Sequence, residues 1–510
     1  MAYPSLRRCF GKHPGSGIRD TNFPGETGLK FLCLILLYAS LAVLSAGAQI
    51  TNFKHIVIIV QENRTPDNLF YGLCSAPFGT AAGCSGKPSI TQYNILTKNW
   101  LDKTSKTGVT QPFAASLSAK YGLGHTHQSF VNMCDAPANS TVCAMDGAIG
   151  VGCTGTCPKS PPYAYADNST GLINPYLTMA TQYGWANYFF QTNQGPSFPA
   201  HQYLFAGTSA PSAQDDANGI FAAENNSLSN AWNGCIAPAG DTVQLITPQG
   251  ELPGNKIYPC FEHETMGDVL AGYTWRYYAL AGASGSLWVA PNAIQHICQS
   301  TGPSGVCSGP EYTANVDTRT AGVLQDIAAC ELRNVSWVVP SGQNSDHSTA
   351  AGNDSGGPSW VAAIVNAIGN SKKCDNGEGY WKDTAILVTW DDWGGWYDHV
   401  APPILPGVQG DYQFGFRVPF VFISAYTPAR YINNNHLDFG SILRFVEHNF
   451  GIQEGALGYA DARATGDLNG FYNLKNAPRS YTTIKAAKTA AFFLNDTRIP
   501  AEPDDDDEGQ

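Results

Sequence analysis

Four stretches of the chain are apolar without alternation: "HIVIIV" (55–60), "VSWVVP" (335–340), "TAILVTW" (384–390) and "RVPFVFIS" (417–424). Continuous runs of this length predict strands covered on both faces, as in a parallel sheet, rather than half-exposed strands with a period of two. Longer apolar segments of helical length lie between or after them, at "WVAAIVNAIG" (360–369) and "FGSILRFVEHNFG" (439–451). Strand and helix in alternation predict an α/β fold: a doubly wound, mostly parallel central sheet with helices on both faces. Such sheets place ligands beyond the carboxyl ends of their strands. Three of the four runs end in polar residues there: Glu62 and Asn63, then Asp346 and His347 in "SGQNSDH", then Asp391 and Asp392. Residues 210–330 break the pattern. They are rich in Gly, Pro and Asn, carry five cysteines, and read as an inserted, loop-rich cap.

The remaining segments bear on compartment. Residues 31–46, "FLCLILLYASLAVLSA", are apolar, uncharged and preceded by Lys30. Ala46 and Ala48 offer the small side chains a signal peptidase accepts, so residues 1–48 read as a signal peptide with an N-terminal extension, cleaved before Gln49. The alternative is an uncleaved anchor, for which the run is short. No second run of spanning length follows, so a mature chain without a stable membrane span, secreted or periplasmic, is expected. Cleavage removes Cys9 and Cys33 and leaves twelve of the 14 cysteines. An even number in an exported chain predicts a disulfide framework. Near neighbours suggest Cys74–Cys84, Cys134–Cys143, Cys153–Cys157 and Cys298–Cys307, with a zinc site at Cys153 and Cys157 as the alternative. Residues 496–510 end in "EPDDDDEGQ", an acidic run that reads as a disordered tail. A formal net charge of -12 argues against non-specific binding to nucleic acid, which needs a basic surface.

Asp391 and Asp392 repel each other unless a positive group sits between them. With Glu62 they supply hard oxygen ligands, and Asn63 adds a carbonyl oxygen, a set suited to a divalent cation. The bland alternative is a surface turn, since acidic pairs are common in turns. Ser197, in "NQGPSFPAHQYLFAGT" (193–208), precedes Pro199 and a segment of helical composition. It reads either as an N-cap or as a nucleophile at a helix N-terminus, activated by a metal rather than by a histidine.

Several of these segments, in this order, resemble the phosphoesterase family that includes bacterial phospholipases C and an acid phosphatase, relatives of the alkaline phosphatase superfamily. "HIVIIVQENRTPDNLFYG" looks like its opening strand and E-N-R-[ST]-x-D signature. "GHTHQSF" with "MDG" is similar to its histidine segment, the Ser197 segment to its nucleophile segment, and "VTWDDWGGWYDHV" to its second acidic motif. "GFRVPFVFIS" and "DFGSILRFVE" complete the order. The resemblance covers most of 52–450 and implies a phosphoesterase domain over 49–495 with an alkaline phosphatase-like fold. It implies one divalent metal ion, with Ca, Mg, Mn, Zn and Fe all open, held by Glu62, Asn63, Ser197, Asp391 and Asp392. Ser197 is then the nucleophile that is transiently phosphorylated, and His125 and His347 are catalytic residues that contact the phosphoryl oxygens. His127 and His399 fall in matching segments as further substrate-binding residues. Where the family more often has Glu before the second histidine, this chain has Asp346, whose role the resemblance leaves open.

The substrate implied is a phosphate ester, a phospholipid diester or a monoester. A chain that ends soon after the core leans toward a phosphatase. Trp390, Trp393 and Trp396 around the acidic motif lean toward packing a choline group by cation–π contact, with core packing as their alternative. A sulfatase-type hydrolase on the same fold is a rival reading, although "SFPAH" lacks the Arg that formylglycine formation requires. A secreted binding protein without catalysis is the other.

Overall fold

In the computed structural model the carboxyl ends of two neighbouring strands run on past the sheet side by side, and this brings the first and second acidic motifs together. The structure describes residues 50–228, 232–280, 286–300, 305–348, 356–404, 412 and 414–500. The expected signal peptide (1–48) and the acidic run from 501 onward lie outside the described residues.

Eight strands make the central sheet: β1 (His55–Gln61), β2 (Gly184–Phe190), β3 (Trp275–Tyr278), β4 (Val316–Asp317), β5 (Val335–Val338), β6 (Thr384–Trp390), β7 (Phe420–Ile423) and β8 (Tyr431–Asp438). Their order is β4-β3-β5-β1-β6-β7-β2-β8. All neighbours pair in parallel except β7, which is antiparallel to β6 and β2. Every residue of β6, and all of β1 but His55, is buried, as a strand with both faces covered must be. The mostly parallel α/β sheet is as expected. Two expectations need correction. The fourth apolar run does form a strand but runs against its neighbours, because continuous burial reports coverage of both faces and not strand direction. Region 210–330 is not wholly an inserted cap either: it supplies β3 and β4, the parallel edge of the sheet. Its separate three-stranded sheet, from Phe221–Ala222, Val243–Thr247 and Gly250–Ile257, does lie outside the main one.

Helices α1 (His127–Cys134), α2 (Asn174–Gln182), α3 (Ser197–Ala206), α4 (Gly322–Ala329), α5 (Gly356–Gly369) and α6 (Phe439–Phe450) frame the sheet. Five of them pack as two groups, α3 with α6, and α5 with α2 and α4. Helix α3 is buried at every residue, its polar Ser197, His201 and Gln202 included. At its far end Gly207 adopts a left-handed conformation and caps the helix by donating to the Tyr203 carbonyl. Helix α6 starts at a capping box in which Asp438 and Ser441 satisfy each other's N–H groups.

All twelve cysteines from 74 to 374 are paired. The four disulfides expected from near neighbours are present, together with Cys235–Cys260 and Cys330–Cys374. The Cys153–Cys157 disulfide removes the zinc alternative. Among the described residues no helix is long and apolar enough to cross a membrane.

Candidate active site

The site begins with the register between β1 and β6. Gln61 pairs with Trp390, and the ladder continues one step further through the Asp391 N–H donating to the Gln61 carbonyl at 2.9 Å. Glu62 and Asn63 are thereby set beside Asp391 and Asp392. Asn63 turns the chain out of the sheet in a left-handed conformation, φ 63°. Its N–H donates to Asp391 Oδ1 at 3.0 Å, and the Arg64 N–H donates to the Asp392 carbonyl at 3.0 Å. Gly394 makes the opposite side of this contact, since a Cβ there would lie 2.5 Å from Asn63 Cβ. Its N–H donates to Asp392 Oδ1 at 2.6 Å.

Strand β2 delivers Ser197 to the same end of the sheet. Gln191 and Asn193 both donate to the Gly195 carbonyl, at 2.6 and 3.1 Å, and fix the turn before α3. Ser197 is the first residue of α3, and Pro196 is its N-cap. The serine is therefore not a capping serine. Its fully buried hydroxyl donates instead to Asp392 Oδ2 at 3.2 Å. Of the N–H groups at this helix start, that of Phe198 is taken by Asn225 Oδ1 at 2.9 Å and Pro199 has none.

Asn63 also sets the first histidine. His125 Nδ1 lies 2.8 Å from the Leu123 carbonyl, so it carries the proton, and Nε2 accepts from Asn63 Nδ2 at 3.1 Å. That hydrogen bond fixes the amide, and Asn63 Oδ1 is left buried with no donor among the described residues. The rings of His347 and His125 are 6.1 Å apart. Burial, with His125 alongside, pushes the His347 pKa down to about 3, so its ring is neutral at any ordinary pH. His127 borders the nucleophile turn, with Nδ1 3.0 Å from the Gln194 carbonyl and its N–H donating to Glu224 Oε1 at 2.9 Å.

The carboxylate behind His347 has a structural task. Asp346 Oδ2 accepts from the Tyr176 hydroxyl at 2.8 Å and from Trp390 Nε1 at 3.0 Å. Its N–H donates to Gln61 Oε1 at 3.0 Å. Asp346 thus ties the end of β5 to the ends of β1 and β6. Burial raises its pKa to about 6, against the pull of Arg64.

His399 sits in a separate network, with Nδ1 2.6 Å from Asp67 Oδ2 and Nε2 3.0 Å from the Asn94 side chain. Arg417 clasps the neighbouring Asp398 at 2.8 and 2.9 Å. Both His399 nitrogens are engaged in that network. The three tryptophans are core: Trp390 is bonded to Asp346, Arg64 covers the Trp396 ring at 4.9 Å, and Trp393 packs against His125 and Phe416. None offers an open face to a choline group. Finally, the sequence reading passed over His201. Its Nε2 lies 3.4 Å from Glu62 Oε1 and 3.8 Å from Asp391 Oδ2, all fully buried. The signal was present, because Ser197 and His201 are four residues apart and share one face of α3.

The donor set fits a divalent cation. Glu62, His201 and Asp391 each bring a ligand atom within 4.8 Å of the others. Asn63 Oδ1 and Asp391 Oδ2 are buried without a hydrogen-bond donor among the described residues. Buried oxygens left in this state cost several kcal/mol unless a cation occupies the space between them. Ser197 supplies a hydroxyl with a proton acceptor in Asp392, and His125, hydrogen-bonded to Asn63, stands beside His347.

Comparisons with known proteins place the chain among phosphoesterases. A family model described as "Phosphoesterase family" matches residues 53–453. Phospholipase C A of Mycobacterium tuberculosis is 25% identical over 469 residues, covering 84% of this chain and 79% of that protein. The non-hemolytic phospholipase C of Pseudomonas aeruginosa is 26% identical over 284 residues, covering 48% of this chain and 38% of that protein. The match thus spans well under half the length of the Pseudomonas protein. A solved structure of a protein in the alkaline phosphatase superfamily from Vibrio parahaemolyticus aligns over 80% of this chain and 69% of its own, at 11% identity and a TM-score of 0.31, too slight to add to the topology described above.

Proposed function

The chain belongs to the phosphoesterase family, and on that premise we propose that it hydrolyses phosphoric esters in two steps through Ser197. The observation that carries this reading is the buried Ser197 hydroxyl, donating to Asp392 Oδ2 at 3.2 Å where four strand ends converge. A serine with its proton already directed at a carboxylate needs no histidine general base. In the first step Ser197 Oγ forms the new bond to phosphorus, the ester bond breaks, and the alcohol leaves with a proton. Water then cleaves the phosphoserine and restores the hydroxyl. Glu62, Asn63, Ser197, Asp391 and Asp392 would hold a divalent cation, which when bound lowers the pKa of the serine hydroxyl and offsets the phosphate's charge.

The remaining roles belong to the chain itself. Asp392 accepts the Ser197 hydrogen bond and is held in turn by the Gly394 N–H. His125 orients the Asn63 amide, so Oδ1 rather than Nδ2 is available to a cation. His347, neutral by burial, serves as a neutral N–H donor toward the phosphoryl oxygens rather than as a cation. His127 lines the approach to the nucleophile turn.

The names of the bacterial relatives favour a phospholipase C-like diester substrate over a monoester. The disulfide framework favours export to an oxidising compartment. The test is hydrolysis by the purified protein, assayed in parallel on p-nitrophenylphosphorylcholine and p-nitrophenyl phosphate, with and without EDTA. Diester turnover abolished by EDTA is expected. Turnover confined to the monoester would replace phospholipase with phosphatase, and silence on both would overturn the proposal.

A further inference from the structure

His201 occupies a position that the five-residue ligand set does not explain. It is fully buried, and its Nε2 faces two carboxylate oxygens, Glu62 Oε1 at 3.4 Å and Asp391 Oδ2 at 3.8 Å. Neither contact is a hydrogen bond: Nε2 has no hydrogen-bond partner among the described residues. The other side of the ring settles the tautomer. The Tyr277 hydroxyl lies 3.4 Å from His201 Nδ1 and spends its own proton on the Trp288 carbonyl at 2.8 Å. Its oxygen is therefore an acceptor for Nδ1–H, which leaves a lone pair on Nε2. A buried nitrogen lone pair aimed at carboxylate oxygens is repelled by them, and a cation placed among the three turns that repulsion into coordination.

We propose that His201 Nε2 is a direct nitrogen ligand of the bound cation, and that this ligand selects Mn, Fe or Zn over Ca and Mg. The inference rests on the metal-site reading given above and extends it. Four features support it. His201 lies on the same face of α3 as Ser197, one turn along. Its Nε2 is within 4.8 Å of ligand atoms of Glu62 and Asp391. No hydrogen-bond partner among the described residues satisfies Nε2. Tyr277, from β3, holds the far side of the ring in the manner of an outer-shell partner. Calcium and magnesium favour all-oxygen sites, whereas imidazole suits the transition metals. The region read from sequence as a cap thus supplies, through Tyr277, the group that aims this ligand.

The test is binding and spectroscopy on the full protein, independent of turnover. Metal-free protein is loaded with Mn²⁺ and examined by electron spin-echo envelope modulation, alongside His201→Gln. Strong nitrogen modulation in the wild type, lost in His201→Gln, with Mn²⁺ affinity falling by about 10- to 100-fold and Ca²⁺ affinity little changed, is the expected result. Stoichiometric Mn²⁺ binding without nitrogen modulation, or modulation that persists in His201→Gln, would overturn the ligand while leaving the metal site standing. Such a result would make His201 a counter-ion to the carboxylates. Failure of the wild type to bind Mn²⁺, Zn²⁺ or Ca²⁺ would overturn the metal-site reading itself. If His201→Gln does not fold, His201→Cys loaded with Co²⁺ takes its place: a thiolate charge-transfer band is expected, and its absence from the folded, Co²⁺-bound variant contradicts the proposal.

Discussion

The main-chain N–H of Asn63 donates to the side chain of Asp391, 328 residues away, at 3.0 Å. One oxygen of that carboxylate is thereby committed to the fold, and the other, Oδ2, is left facing His201 and without a donor among the described residues. The two oxygens have separate duties, and a substitution can address one without the other. Asp391→Asn keeps an acceptor for the Asn63 N–H but loses the charge. It is expected to fold, to bind divalent cation at least about tenfold more weakly, and to lose about 10²–10³ in turnover. Calorimetric titration of metal, with a thermal melt as the folding control, checks this.

Asp346 predicts how stability depends on pH. Its folded-state pKa is raised by burial to about 6, above its ordinary value of 3.8. Its contribution is thus fully present below about pH 4 and is lost as pH rises through about 6. Asp346→Asn retains an acceptor for Tyr176 and Trp390 and never ionises. It should match the wild type near pH 4 and exceed it above pH 7 by on the order of 3 kcal/mol. Urea denaturation at the two pH values decides the matter, and equal stability at both would contradict it.

Gly394 is a steric prediction. Its φ of 62° and a hypothetical Cβ 2.6 Å from the Asn63 carbonyl oxygen leave no room for a side chain. Gly394→Ala is expected to cost about 1–3 kcal/mol from the left-handed conformation alone. It should also lower activity by displacing Asn63 and Asp392 together. Melting temperature and turnover should therefore fall in the same variant.

The Cys330–Cys374 disulfide closes a loop of 44 residues, the longest sequence separation of the six. It joins the end of α4 to the segment leading into β6. Replacing both cysteines by serine should cost about 4 kcal/mol on the chain-entropy account, against roughly 3 for the disulfides closing nine or ten residues. Denaturant midpoints of the paired variants compare them directly.

Much of this was legible because burial on both faces of a strand leaves a mark that a single sequence carries. The runs at 55–60, 335–340 and 384–390 became β1, β5 and β6, and their polar ends met as the rule for parallel sheets requires. Strand β2, "GWANYFF", was missed because its aromatic residues lack the β-branched signature by which the other strands were read. The reversal of β7 was invisible, since direction is set by chain connections that leave no local pattern. His201 was overlooked for another reason. Its partners Glu62, Asp391 and Tyr277 come from three strands remote in sequence, and only the four-residue spacing from Ser197 pointed to it. His399, in a motif-rich segment, is paired with Asp67 and Asn94, a contact that no local pattern announces.

The central claim is that Ser197 accepts the phosphoryl group. Rapid acid quenching during turnover of a phosphate ester, followed by peptide mass spectrometry, tests it most directly. A phosphoryl group on Ser197 that forms before steady state and is absent from Ser197→Ala is the predicted result. Near-normal turnover by Ser197→Ala would contradict the account.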